Sequence, residues 1–202
     1  MTQIAIPQLD PLSLELGSAL QLDDDELFEL CVRNPELRIE RTSEGDLIVM
    51  TPAGWERGAR NVRLLAQLFR WAERDGRGIV SDSSGGFRLP NGAMRAPDAA
   101  WVLASRLSEL SAEQKRKFPP LCPDFVIELR SPSDSLPALQ RKMEEYRSQG
   151  AALGWLIDPE ERRVHVYRTD GPPIVLEDPE AVDGSPEMPG LVLPLAEIFS
   201  SI

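Results

Sequence analysis

Two carboxylates lie in segments that otherwise have the pattern of buried strands. Asp98 opens the apolar segment 98–103, and Glu128 stands inside the segment 125–129. Both segments are apolar on both faces, which is typical of strands at the centre of a covered sheet. Buried Asp and Glu side chains need a partner that offsets their charge. The pair therefore indicates either a shared divalent metal ion or, without a catalytic role, a salt bridge or exposure at the strand ends.

The composition describes one globular domain. The chain has 202 residues, of which 42% are hydrophobic and 27% charged, and no Gly- or Ser-rich linker divides it. We expect residues 1–22 to form an extended arm and residues 23–202 to form a single domain. No apolar run is long enough to cross a bilayer, and the N-terminus has no pattern of an export signal. These features predict a cytoplasmic protein without a membrane partner.

Cysteine and histidine are too scarce for several common kinds of site. Cys31 and Cys122 stand far apart, and His165 alternates with valines in a strand pattern. This argues against a structural zinc site, a disulfide framework and a catalytic triad with a histidine base. The formal net charge of −11 is unfavourable for a protein that coats nucleic acid, because Lys and Arg supply most of the affinity for phosphates. A metal-dependent nuclease is still compatible with it, because its metal ligands are acidic.

The elements that must position the two carboxylates alternate between helices and strands. The predicted helices cover residues 23–32, about 55–73 and about 137–149, with a weakly helical surface crossover over 105–118. The predicted strands cover residues 37–42, 46–51, 79–82, 86–89, 98–103, 125–129, 153–158 and 163–168. This order predicts an α/β (α+β) fold with a mixed sheet. We expect Asp98 and Glu128 to lie on neighbouring strands of that sheet.

Helical periodicity predicts the inward faces of the two longer helices. The inward residues predicted for the first are Val62, Leu65, Leu68, Phe69 and Ala72, with Glu56 and Asn61 on the same half of the helix. The inward residues predicted for the second are Leu136, Leu139, Met143 and Tyr146. Lys142 lies on the shoulder of this second stripe. Polar groups on an inward face need partners.

Several longer segments resemble a known family. The segments that carry the resemblance are LRIERT at 37–42, GFRLPNG at 86–92, RAPDAAWV at 95–102, PDFVIELRSPSD at 123–134 and GWLIDP at 154–159. They are similar to the bacterial Uma family of restriction-endonuclease-like proteins, a domain of unknown function, over about residues 25–198. The resemblance implies the PD-(D/E)xK nuclease fold, with a mixed central sheet flanked by helices and additional hairpins. It matches Asp98 to the first carboxylate of the motif and Glu128 to the second.

The sequence departs from this motif two residues after Glu128, where Arg130 stands in place of a lysine. Arginine stays protonated and cannot accept a proton, although it can stabilise the charge of a phosphorane. The resemblance implies that Lys142, on the following helix, is the replacement. It also matches Glu56, at the start of the first long helix, to an additional carboxylate of such sites. Glu40 is a further candidate of this kind.

For function the resemblance implies a nuclease, and the mechanism we expect is hydrolysis of phosphodiester bonds in DNA with Mg²⁺ or Mn²⁺. Asp98, Glu128 and the carbonyl of Leu129 would hold the metal, and Lys142 would orient the attacking water or stabilise the transition state. Since many enzymes of this fold dimerise, a homodimer is also expected. The alternative is a nuclease-fold module without catalysis that binds nucleic acid or protein, which the net charge and Arg130 favour. A glycosidase with Asp98 and Glu128 as acid and base rests on those two carboxylates alone.

Overall fold

The computed structural model of the protein describes residues 12–14, 22–50 and 54–200. Its helices are α1 (Asp24–Arg33), α2 (Trp55–Asp75), α3 (Ala104–Ser108), α4 (Ala112–Arg116), α5 (Leu136–Ser148) and α6 (Ala196–Phe199). Its strands are β1 (Leu12–Leu14), β2 (Arg38–Arg41), β3 (Leu47–Met50), β4 (Gly78–Asp82), β5 (Phe87–Arg88), β6 (Met94–Arg95), β7 (Ala99–Leu103), β8 (Phe125–Leu129), β9 (Leu153–Asp158), β10 (Arg163–Arg168), β11 (Ile174–Glu177), β12 (Ala181–Asp183) and β13 (Val192–Pro194). Most of the expected arm 1–22, together with Thr51 and residues 201–202, lies outside the described residues.

A six-stranded sheet forms the centre of the fold, in the order β11-β10-β9-β8-β7-β4. Strands β8 and β9 run parallel, whereas β7 and β8 run antiparallel. A second sheet, in the order β1-β3-β2-β6-β5, contains the predicted hairpin of β2 and β3. The predicted α/β (α+β) fold with a mixed central sheet is therefore confirmed.

The central strand β8 is buried at all five positions, as its continuous apolar pattern predicts. Successive side chains of a strand point to opposite faces of the sheet. Phe125 belongs to the core cluster that includes residues of α2, whereas Val126 belongs to the cluster that includes Met143 and Tyr146 of α5. Glu128 has the same parity as Val126, so its carboxylate faces α5.

Helix α5 closes this face in the predicted orientation. Pro137 occupies its first turn, and Met143 and Tyr146 are fully buried against the sheet. Lys142 precedes Met143 and lies one helical turn before Tyr146, so it projects from the shoulder of the buried stripe. The periodicity of this segment thus brings an ammonium group to the face that carries Glu128.

The inward face predicted for α2 is wrong in part. Val62 and Phe69 are 66% and 54% exposed, whereas Leu64 and Trp71 are buried. The reason is that α2 carries apolar residues on two faces, and the large Trp71 packs in the core near Trp101 and donates a hydrogen bond to the Pro189 carbonyl. Of the helices that the structure describes, none is both long and apolar enough to span a membrane.

Candidate active site

The pairing of β7 with β8 brings Asp98 and Glu128 together. Ala99 lies opposite Ile127 and Ala100 opposite Val126, so the next step along both strands sets Asp98 opposite Glu128. Both side chains are buried, with 2% and 3% exposed. Asp98 Oδ2 accepts a hydrogen bond from the backbone N–H of Leu129 at 2.9 Å. This bond joins the side chain of Asp98 to the backbone of β8. The two carboxylates are therefore buried next to each other on the face of the sheet that α5 covers.

Lys142 reaches this place from α5. Its Nζ lies 2.7 Å from Glu128 Oε1 and 2.8 Å from Glu40 Oε1. Tyr146 Oη donates a hydrogen bond to the same Glu128 oxygen at 3.2 Å. A single ammonium group is thus shared between two buried carboxylates that come from different sheets.

Glu40 connects Lys142 to the segment that leads into Asp98. Its Oε1 also accepts a hydrogen bond from the backbone N–H of Ala96 at 2.9 Å, and its Oε2 lies 3.3 Å from Arg95 Nη1. Arg95 Nε in turn donates to Glu145 Oε2 at 2.6 Å. Glu40 is only 2% exposed, and these contacts give its buried charge both cations and a backbone donor.

Two partly exposed guanidinium groups form long ion pairs with Asp98. Arg57 Nη2 is 3.3 Å from Asp98 Oδ2, and Arg38 Nη2 is 3.8 Å from Asp98 Oδ1. Charge-assisted hydrogen bonds are normally about 2.7–2.9 Å long, so these contacts are weaker than the ion pairs of Lys142. The side chains of Arg57 and Arg38 are 21% and 30% exposed. They border the buried carboxylates and also meet solvent.

Burial and charge act differently on the two carboxylates that share Lys142. Burial raises the pKa of Glu128 to about 7, with help from the charges of Asp98 and Glu40 and against the attraction of Lys142. Burial alone would also raise the pKa of Glu40, but Lys142 and Arg95 hold it below its ordinary value. Glu128 therefore exchanges its proton near neutral pH, while Glu40 stays ionised.

Lys142 keeps its proton in this environment. Burial would lower its pKa, but the charges of Glu128 and Glu40 raise it above the ordinary value. The side chain can therefore donate hydrogen bonds and supply positive charge across the neutral range, whereas a role as proton acceptor is disfavoured.

Glu56 and Arg130 make their contacts elsewhere. Glu56 is 47% exposed and pairs with Arg60 on its own helix at 2.7 Å. Arg130 Nη1 lies 2.6 Å from Oδ2 of the fully buried Asp158, and its Nε donates to the Asp134 carbonyl at 3.3 Å. Across the described residues, neither side chain forms a direct hydrogen bond or ion pair with Asp98 or Glu128.

The donor chemistry of the site suits a hard divalent cation. Within the described part of the chain, no group of three or more His, Cys, Asp or Glu side chains is arranged to hold a metal ion. Mg²⁺, however, is commonly held by one or two carboxylates and completes its coordination with water and substrate phosphates. Asp98 and Glu128 supply two such carboxylates, and a cation beside Glu128 would offset the burial that disfavours its ionised form. The residues present thus fit Mg²⁺ or Mn²⁺.

Sequence reasoning missed four residues of this cluster, which are Arg38, Arg57, Arg95 and Tyr146. Arg38 stands two positions before Glu40 on β2, so strand alternation could have placed them on one face. Tyr146 was predicted as an inward core residue, and its spacing of one turn from Lys142 was the signal for a shared contact. Arg57 carries no comparable signal, because its role depends on how α2 packs against the sheet.

Comparisons with known proteins agree with this fold. A model of the Uma2 family, described as "putative restriction endonuclease", matches residues 24–196. The crystal structure described as "a putative nuclease belonging to DUF820" from Anabaena variabilis ATCC 29413 is similar, with a TM-score of 0.67 and 22% sequence identity. The match covers 80% of this chain and 89% of that chain. No curated protein matches the chain. Because the family model spans most of the sequence, the chain belongs to the Uma2 family.

Proposed function

We propose that this protein is a metal-dependent nuclease that hydrolyses phosphodiester bonds in DNA. The observation that carries the proposal is the convergence of Asp98, Glu128 and Lys142 on one buried place at the end of β8. Membership of a family described as "putative restriction endonuclease" supports the same class of activity. The raised pKa of Glu128, about 7, is the kind of perturbation that accompanies catalytic and metal-binding groups.

In this proposal, Asp98, Glu128 and the carbonyl of Leu129 hold Mg²⁺ or Mn²⁺. The metal, when bound, would lower the pKa of a water ligand and offset charge on the phosphate. The hydrogen bond from the Leu129 N–H to Asp98 Oδ2, 2.9 Å long, holds the first carboxylate against the strand that carries the second. This backbone contact limits the rotation of Asp98 and so prepares the pair for a shared ligand.

Lys142 supplies a positive charge, because its ammonium group stays protonated. Its ammonium lies 2.7 Å from Glu128 and 2.8 Å from Glu40. A shift of this group toward a bound phosphate would orient the attacking water or stabilise the charge of the transition state. Glu40 is a positioning residue, because it retains one contact with Lys142 while Glu128 binds the metal.

Arg57 and Arg38 would contact the phosphate on the solvent side of Asp98. Their guanidinium groups are partly exposed and only loosely paired with Asp98, and a guanidinium matches the geometry of phosphate oxygens. Glu56 and Arg130 stay proposals with weaker support, because their contacts are with Arg60 and Asp158. Arg130 would act through Asp158 rather than on the substrate.

Cleavage of plasmid DNA and single-stranded DNA tests the proposal. The purified protein with Mn²⁺ should nick or cut these substrates, and EDTA should stop the reaction. Asp98→Asn and Lys142→Met should each lower the rate by at least about 100-fold, whereas Glu109→Gln, at an exposed position directly after helix α3, should leave it unchanged. Circular dichroism and urea unfolding should show that Asp98→Asn remains folded. Intact DNA in the presence of Mn²⁺, or equal cleavage by the parent and Asp98→Asn, contradicts the proposal.

The second candidate is a nuclease-fold module without catalysis that binds nucleic acid or protein. Two observations favour it: the net charge of −11, and Arg130 in place of the motif's lysine. Calorimetric titration with Mn²⁺ separates the two candidates. Heat of binding that disappears in Asp98→Asn supports the metal-dependent nuclease, whereas no binding at all leaves the module without catalysis. We also propose that the protein acts as a homodimer.

A further inference from the structure

Helix α2 carries a second apolar stripe that faces solvent. Trp55, Val62 and Phe69 are 82%, 66% and 54% exposed. They are spaced seven residues apart, so they share one face of the helix with a drift of only about 20° per heptad. The side chains of Leu64 and Leu68 on the other side of α2 are fully buried in the core. A continuous exposed apolar surface of this kind marks an interaction site.

The stripe is self-complementary. Trp55 and Phe69 stand at equal distances from Val62, seven residues before and seven residues after it. Two such helices packed antiparallel about Val62 would therefore bring the Trp55 of each copy onto the Phe69 of the other. In a twofold-symmetric contact the same patch serves both partners, and this pattern meets that requirement. A partner of unrelated sequence has no need of such symmetry.

We propose that the α2 helix of a second copy of this chain packs antiparallel on this stripe, with the twofold axis at Val62. Gly58 and Ala66 lie between the large residues on the same face, and nothing lies within 4 Å of the position of a Cβ on Gly58. Small residues between large ones let two helices interdigitate. The contact is thus a short antiparallel coiled coil between two copies.

The exposed area is sufficient for a modest dimer contact. A buried aromatic side chain removes about 150–250 Å² from water, so the exposed parts of Trp55, Val62 and Phe69 amount to about 400 Å² per copy. The helix is about 30 Å long, and its flanking residues add to this area on both copies. The total approaches about 1,200 Å², the lower bound for stable specific interfaces.

Sedimentation equilibrium of the purified full chain tests the inference. The parent should have twice the 22.5-kDa mass of the chain. Val62→Glu should shift it to the mass of one chain, raising the dissociation constant by about 100-fold or more, because two carboxylates would meet at the twofold axis. Val32→Glu is the matched control, because Val32 lies on helix α1 and is 60% exposed. It should remain dimeric like the parent.

A second variant tests the register of the contact. In Val62→Cys the two new thiols lie at the axis, so mild oxidation should produce a disulfide-linked dimer that the parent does not form. A parent that sediments as one chain at about 100 μM overturns the inference. Dissociation by Val32→Glu but not by Val62→Glu overturns it as well. These measurements need neither metal nor DNA, so they are independent of the nuclease proposal.

Discussion

Replacing Glu128 by glutamine should flatten the dependence of folding stability on pH. In the folded protein, burial and then the charges of Asp98 and Glu40 raise the pKa of Glu128 from its ordinary value of 4.5 to about 7. The folded state therefore binds this proton more tightly than the unfolded state. Its contribution to the free energy of unfolding is full below pH 4.5 and is lost as the pH rises through about 7. Between pH 5 and pH 8 the loss is about 2–3 kcal/mol, since one pKa unit is worth about 1.4 kcal/mol.

Urea unfolding at a series of pH values from 5 to 8, with EDTA present, measures this effect. The free energy of unfolding of the parent should fall relative to that of Glu128→Gln by about 2–3 kcal/mol across the range. Because the pKa of Glu40 is lowered, its carboxylate stays ionised throughout and does not contribute to the difference. Glu109→Gln, at an exposed position, should give a curve parallel to the parent. Parallel curves for the parent and Glu128→Gln would refute the reasoning, because Glu128 would then titrate alike in both states.

Three further perturbations have defined outcomes. Lys142→Met should lower the free energy of unfolding by about 3 kcal/mol at pH 8 and by less at pH 5. Without the ammonium the pKa of Glu128 rises further, and the protonation that removes its buried charge is easier at pH 5. Urea unfolding at both pH values measures this. Gly78→Ala should lower the free energy of unfolding by about 2 kcal/mol, because its Cβ would lie 2.5 Å from the backbone oxygen of Val102. Gly58→Ala in helix α2 should instead raise the free energy of unfolding by about 0.5–1 kcal/mol. Urea unfolding measures both. Binding of Mn²⁺ near pH 6 should release protons as Glu128 ionises, and titrations in two buffers with different ionisation enthalpies should detect them; equal heats in both buffers would contradict it.

The fold and the central pair of carboxylates could be predicted because strong local patterns specify them. A strand that is apolar at every position, such as β8, fits only the centre of a covered sheet. The two apolar segments were therefore expected on neighbouring strands, and the observed register of β7 with β8 sets Asp98 opposite Glu128. The inward face of α5 was predictable for the same reason, because Met143 and Tyr146 form its one strong apolar stripe. Lys142 could therefore be assigned to this face from periodicity.

The remaining parts of the site depend on tertiary packing. Glu40 lies on β2 in another sheet, and its contact with Lys142 bridges residues far apart in the chain. No local pattern predicts that approach. The orientation of helix α2 could not be predicted from the sequence either. Both of its faces are apolar, so periodicity alone cannot decide which face packs against the sheet. The contact of Arg57 with Asp98 depends on that choice, so the sequence could not predict it.

The cation that pairs with Glu128 comes from helix α5 and not from the motif position two residues after Glu128. Two neighbouring strands each carry a buried acid facing α5, Glu128 on β8 and Asp158 on β9, and each needs a compensating charge. Arg130 pairs with Asp158 at 2.6 Å and also donates to a backbone carbonyl, so its guanidinium is held away from Glu128. Lys142 approaches Glu128 from the helix and shares its ammonium with Glu40. A compact ammonium on a flexible stem can move toward a phosphate while it keeps one of two carboxylates. Under the proposed function, Lys142 would thus supply from α5 the positive charge that the motif places at position 130, while Arg130 neutralises a second buried acid.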